Sequence, residues 1–194
     1  MQNPTEVKDF ILASGSPQRI ALLRQVAYEP KKIQPADIDE NCLPHEKPLP
    51  YVRRMALEKA KHVAALYPDE NILACDTVVA VGQRILHKAK DAAEQLMYMK
   101  LLSGRAHRVI SSVCLINKNG QISQRTVTTK IMMKVLSDED LNAYIECGEW
   151  KGVCGYKIEG RLAGYVTKMV GSYSGVVGLP LYETLNLLKG VGVK

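Results

Sequence analysis

One acidic residue interrupts the most apolar run in the chain, Ile72-Leu73-Ala74-Cys75-Asp76-Thr77-Val78-Val79-Ala80-Val81. Such a run reads as a buried strand. An unpaired carboxylate inside it would cost several kcal/mol, on the order of a whole domain's stability, unless a cation or hydrogen-bond donors meet it. Asp76 therefore has two readings. It is either a structural group that caps a bulge or pairs with one lysine, or a metal ligand or general base where the strand exits into a cleft.

A second stretch offers the complementary charge. Phe10 to Ala13 reads as a strand, Ser14-Gly15-Ser16 breaks it, and Ile20, Leu22, Leu23 and Val26 follow at helical spacing. Ser16 suits the N-cap and Pro17 the first helical position, so the helix start is well marked. A helix start after a small-residue turn favours a phosphate or carboxylate, Ser14 and Ser16 add hydroxyls, and Arg19 adds a fork of donors. The same residues also fit an ordinary capped turn with Arg19 in solvent. No Gly-Lys-Ser/Thr follows, so this is not a P-loop, and the glycines of a dinucleotide fingerprint are missing. A third cluster, Asp37, Asp39 and Glu40, is either a solvated acidic turn or a platform for a divalent cation.

The elements that must position these groups follow from periodicity. The spacing predicts helices over Leu49–Tyr67, from Asp91 to Leu102, from Ser137 to Gly148, and from Pro180 to Gly190. Strands are predicted at Glu29–Ile33 and Asn71–Val81, with a short return at Arg84–Leu86. A long hairpin runs from Arg108 to Ile116 and back from Gln121 to Val135 across Asn117–Gly120. Strands alternating with helices indicate an α/β fold.

The 194 residues, 46% hydrophobic and 24% charged, are enough for one domain, or two lobes sharing a core. The net charge of +6 fits an anionic ligand; with one Phe and one Trp, a single-strand nucleic-acid surface is disfavoured. Five scattered cysteines without a Cys-x-x-Cys indicate neither a disulfide framework nor a zinc site. The N-terminus does not read as a signal peptide and no apolar stretch is long enough to span a membrane, so a cytoplasmic protein is expected.

The decapeptide Ser14-Gly15-Ser16-Pro17-Gln18-Arg19-Ile20-Ala21-Leu22-Leu23 resembles the N-terminal signature of the Maf family, nucleoside triphosphate pyrophosphatases also named for septum formation. Further blocks resemble that family in the same order. They are Leu57-Glu58-Lys59-Ala60, Cys75-Asp76-Thr77-Val78-Val79, His87-Lys88-Ala89-Lys90-Asp91, Ser103-Gly104-Arg105-Ala106-His107-Arg108-Val109, Val153 to Gly160 and Gly171 to Leu181. Cys75 stands where the family has Ala, His87 and Ala89 where it has Gly and Pro, and Glu159 where it has Gln.

The resemblance implies a long mixed, twisted sheet flanked by helices, of Maf/ITPase-like kind, with two lobes around a central cleft. It implies hydrolysis of a nucleoside triphosphate to the monophosphate and pyrophosphate, with Asp76 as catalytic residue and Arg19, Lys59 and Lys88 on the phosphates. The Ser14 to Pro17 turn would lie beneath them. Asp39, Glu40 and Asp76 would hold Mg²⁺ or Mn²⁺; His107, which taken alone is more often a structural histidine than a catalyst, is expected to line the site. The discriminating positions map to Gln18, Thr77 and Glu159, which divide. Thr77 matches a dTTP/UTP branch, Glu159 a 7-methyl-GTP branch, and Gln18 neither; a pyrimidine or broad substrate is expected. A homodimer is also implied. The alternatives are a 7-methyl-GTP pyrophosphatase, a phosphatase, or a non-catalytic nucleotide or nucleic-acid binder acting in cell division.

Overall fold

The computed structural model describes residues 6–194, which form seven strands and six α-helices. In chain order these are β1 (Val7–Leu12), α1 (Pro17–Gln25), β2 (Glu29–Ile33), α2 (Pro48–Leu66), β3 (Ile72–Val81), β4 (Arg84–Leu86) and α3 (Ala92–Leu102). The second half holds β5 (Ala106–Ile116), β6 (Ile122–Met133), α4 (Asp138–Cys147), β7 (Val166–Val170), α5 (Tyr173–Val177) and α6 (Leu181–Gly190). One mixed sheet runs in the order β2-β1-β3-β5-β6-β7, with β4 also paired to β3. The first three are parallel and the rest antiparallel. This is the expected α/β class with its mixed sheet. No helix among the described residues is long and apolar enough to cross a membrane.

Strand alternation decides what each face of the sheet packs against. On β3, Leu73 and Cys75 pack with Phe10, Leu12 and Leu23, while Val79 joins a second cluster around Tyr144, Trp150 and Ile131. Thr77 falls between the two clusters on that face. Its partner on β5 is Ser111, so a polar stripe separates two apolar masses. The opposite face repeats the pattern. Ile72 and Ala74 pack against Ala56, Ala60 and Val63 of α2, Val78 packs against Val52 and Met55, and Asp76 stands in the gap.

The sheet is also incomplete at this level. β1 pairs with β3 only at Ile72 and Leu73, and β4 pairs with it from Val79 onward. Among the described residues the intervening edge of β3 has no strand partner, so Asp76 and Thr77, on opposite faces, both open onto one gap. The gap lies beyond the carboxyl end of β1, where open α/β sheets commonly bind ligands.

The predicted helices and hairpins are found with ends shifted by a residue or two. The Ser137 capping box is complete: its side chain accepts from Asp140 N, and Asp140 accepts in return from Ser137 N. Pro180 is the N-cap of α6 rather than its first residue. The pattern does not reveal β7, α5 or the 3₁₀ turn Arg161–Tyr165, each five residues long and too short to show a period.

Gly171 joins β7 to α5 at φ +135°, and a Cβ there would lie 2.9 Å from the Thr129 Cα. Gly171→Ala is expected to destabilise the fold by about 1–3 kcal/mol, read as a lower urea midpoint at unchanged m-value.

Candidate active site

The gap at the β3 edge deepens into a cleft of about 440 Å³. One wall is the Ser14–Ser16 turn with the start of α1, where Pro17 opens the helix and Ser16 Oγ accepts from Arg19 N at 3.5 Å. The first turn of any helix brings N–H groups without intrahelical partners, so this wall is suited to anionic oxygen. Ser16 Oγ also donates to Gln18 Oε1 at 3.1 Å. Arg19 donates through Nε to the Gly178 carbonyl at 2.9 Å and through Nη1 to Ser14 Oγ at 3.0 Å, which fixes its plane in the wall. The same Gly178 carbonyl accepts from Cys75 Sγ at 3.2 Å, with Thr77 Oγ1 3.3 Å away. One carbonyl between α5 and α6 thus ties the first helix to β3. Nothing in the sequence pattern gives Gly178 this part, because the contact spans 159 positions.

Asp76 is 6% exposed and meets a partner. Lys59 Nζ on α2 lies 2.8 Å from Asp76 Oδ1 and 3.0 Å from Glu40 Oε2. Asp76 is therefore paired with one lysine and also opens into the cleft, since Asp76, Lys59 and Glu40 all line the cavity. Glu40 arrives on the strandless segment between β2 and α2, which α2 holds in place. Tyr51 donates to the Glu40 carbonyl at 2.8 Å, and Arg54 grips Glu46 with two bonds of 2.8 and 2.6 Å while donating to the Asn41 carbonyl at 3.0 Å. Burial, reinforced by the negative charge of Asp76, pushes the Tyr51 hydroxyl well above the ordinary phenol range, so it remains a donor. Asp39 does not join this group. It is exposed, its carboxylate turns back to accept from Asn41 N at 2.9 Å, and it is absent from the cleft lining.

Lys88 lines the cleft although His87 and Ala89 flank it. Its backbone bridges to Cys154, and His87 stands edge-on to Tyr51, 6.0 Å between ring centroids, with Nε2 3.6 Å from Cys42 Sγ. These contacts supply the anchorage that a glycine and proline would otherwise shape. Gln18, Thr77 and Glu159 also line the cavity, joined by Lys157, which no motif singles out. Ser111 Oγ donates to the Gly175 carbonyl at 2.6 Å, so Thr77 Oγ1, 2.8 Å away, donates to Ser111 and keeps acceptor capacity for a ligand.

His107 does not line the site. It is 2% exposed on β5, with Nε2 2.6 Å from the hydroxyl of Tyr156, and Tyr156 is the residue that faces the cleft. Burial pushes the His107 pKa down to about 4, so the ring is neutral at ordinary pH.

The Maf-like protein family profile matches residues 9–191. The chain belongs to the Maf family. A dTTP/UTP pyrophosphatase of Caulobacter vibrioides is 50% identical over 186 residues, 95% of this chain and 96% of that protein. One of Paramagnetospirillum magneticum is 50% identical over 184 residues, 94% of this chain and 97% of that protein. Among solved structures, a HAM1 protein from Coxiella burnetii aligns at 17% identity over 64% of this chain and 72% of that one, with a TM-score of 0.47, too loose a likeness to carry weight.

In this Maf chain, no group of three or more His, Cys, Asp or Glu among the described residues could hold a metal ion by itself. Two carboxylates do converge on one cationic position, that of the Lys59 ammonium. Mg²⁺ commonly takes one or two carboxylates together with substrate phosphates and waters, so the Asp76–Glu40 pair fits such an ion when it comes with a triphosphate.

Two outcomes follow from this geometry. Lys59→Met leaves Asp76 buried without its cation and is expected to cost about 3–5 kcal/mol in chelator-treated buffer, with Asp76→Asn in the same chain restoring part of the loss. For His107, the unfolded ring titrates near 6.5 and the folded ring near 4, so below pH 6.5 the unfolded state binds more protons and stability falls as pH drops. The wild type is expected to lose about 2 kcal/mol more than His107→Gln between pH 8 and pH 5, measured by urea unfolding at each pH.

Proposed function

We propose that this Maf protein hydrolyses dTTP and UTP between the α and β phosphates, releasing the nucleoside monophosphate and pyrophosphate. The observation that carries this reading is the meeting of Asp76, Lys59 and Glu40 with Arg19 and Lys88 in one cleft. Relatives at about half identity over nearly the whole chain carry the dTTP/UTP name.

The reaction requires a placed water, neutralisation of a highly charged substrate and stabilisation of the departing pyrophosphate. Asp76 accepts a proton from the attacking water, whose oxygen bonds to the α phosphorus as the bridging oxygen leaves with pyrophosphate. Arg19, already fixed by Gly178 and Ser14, presents its guanidinium to phosphate oxygens, and Lys88 approaches from the opposite loop. Lys59 lies between Asp76 and Glu40 and is the cation that a triphosphate draws on, freeing both carboxylates. Asp76 and Glu40 would then hold a divalent cation, Mg²⁺ or Mn²⁺. When bound, such an ion supplies charge neutralisation and a lower pKa for coordinated water.

At the base end, Thr77 Oγ1 offers an acceptor suited to the pyrimidine N3–H. Glu159 repels a uracil O4 and would suit the N1–H and N2–H₂ of guanine. Lys157 lines the same pocket and brings the donor that a pyrimidine carbonyl needs, which offsets the glutamate.

Product analysis with dTTP, UTP, GTP and 7-methyl-GTP in Mg²⁺ or Mn²⁺ is the test. Pyrophosphate from dTTP and UTP, with kcat reduced about 10²–10⁴-fold in Asp76→Asn, is expected. Orthophosphate as product, turnover of 7-methyl-GTP alone, or salt-sensitive DNA retention without any pyrophosphate would each contradict it.

A further inference from the structure

The segment from Gly148 to Gly160 contains no helix or strand, only the single bridge of Cys154 to Lys88, yet it supplies Tyr156, Lys157 and Glu159 to the cleft. A wall with so little backbone pairing needs other anchors. Three consecutive residues of it are each held by a buried polar side chain from a different element. Gln95 on α3, fully buried, donates through Nε2 to the Gly155 carbonyl at 2.6 Å. His107 on β5 meets the Tyr156 hydroxyl at 2.6 Å, with the rings edge-to-face at 5.4 Å. Tyr144 on α4, also fully buried, accepts from Lys157 N at 3.3 Å. The backbone itself is confined there, because Gly155 has φ +69° and a Cβ would come within 2.9 Å of Val79 Cγ2.

Two of these anchors are poor choices for stability alone. Among the described residues, Gln95 Oε1 and His107 Nδ1 are buried without a hydrogen-bond partner. An unsatisfied buried polar atom is destabilising, and an apolar residue of similar size would fill the same space without that penalty. What the polar side chains provide is direction, since each fixes one atom of the segment rather than merely its packing.

We infer that His107 and Gln95 are positioning residues for base selection: they hold the 155–157 backbone so that Lys157 and Glu159 present a fixed pattern to the nucleobase. They touch no substrate. The Arg19, Lys59 and Asp76 part of the cleft shares none of these three bonds, and Lys88 alone is tied to the segment through its bridge to Cys154, so a base-free phosphate probe reports whether the phosphate contacts move with it. This rests on the nucleotide reading of the cleft given above and deepens it.

The test uses the intact chain and compares wild type with His107→Phe, His107→Gln and Gln95→Leu. For each, kcat and KM are measured with dTTP, UTP and 7-methyl-GTP, together with the inhibition constant of inorganic tripolyphosphate, which has no base. His107→Phe and Gln95→Leu are expected to lose about tenfold in the preference between pyrimidine and purine substrates, the size of one lost buried hydrogen bond. The loss should appear in KM, with kcat and tripolyphosphate inhibition unchanged. His107→Gln, which keeps a polar atom near the Tyr156 hydroxyl, should recover most of the preference. If His107→Phe does not fold, Gln95→Leu carries the same expectation. Preference unchanged in the folded variants, or tripolyphosphate affinity falling in step with that for nucleotide, overturns the inference. Wild-type protein that turns over none of the three nucleotides overturns the proposed function and this inference with it. Wild-type selectivity that survives in the variants overturns this inference alone.

Discussion

A carboxylate removed from water amid Ile, Leu, Val and Ala needs a cation, and the fold supplies one from a helix seventeen residues earlier in the chain. The Asp76–Lys59 contact constrains much else in the molecule. α2 must cross the sheet where its Ala56 and Ala60 permit close approach, and β3 must end its pairing with β1 early enough to leave Asp76 at an open edge. Neither requirement serves packing by itself. Buried ion pairs are seldom more stabilising than apolar groups of equal volume. The pair is better understood as a stored charge than as a staple.

The apolar clusters on either side make that storage affordable. Thr77 and Asp76 replace apolar residues on the two faces of β3 at the same level, so the gap falls where both faces are interrupted. The Gly178 carbonyl then closes the structure across the gap, gathering donors from α1 and β3. Arg19 consequently approaches the cleft with its orientation already set, and little rotamer entropy remains to be lost when an anion arrives. Lys88, by contrast, is exposed where it lines the cleft.

Much of this arrangement was legible in the sequence, for identifiable reasons. The strand-turn-helix at Ser14–Arg19 is visible because Ser and Pro mark helix starts by their own chemistry. Asp76 is visible because a charge in an apolar run is anomalous on energetic grounds. Asp39 and His107 were less legible. Adjacent acidic residues in a coil cannot be told apart without the backbone path, which turns Glu40 inward and Asp39 back on Asn41. A histidine in a motif block can face a ligand or stand behind the residue that does, and only the register of β5 against the 155–157 segment decides between them. Gly178, Gln95 and Lys157 leave no local signal, because their parts depend on contacts between elements far apart in sequence.

The account turns on Lys59 giving up its two carboxylates to a substrate. The most direct measurement is a crystal structure with a non-hydrolysable α,β-imido analogue of UTP and Mg²⁺. It should place the triphosphate between the Ser14–Pro17 turn, Arg19 and Lys88, with the Lys59 ammonium moved onto phosphate oxygen and Asp76 facing the α phosphorus. A triphosphate bound elsewhere, with the Lys59–Asp76 contact intact and turned away from it, would contradict the account.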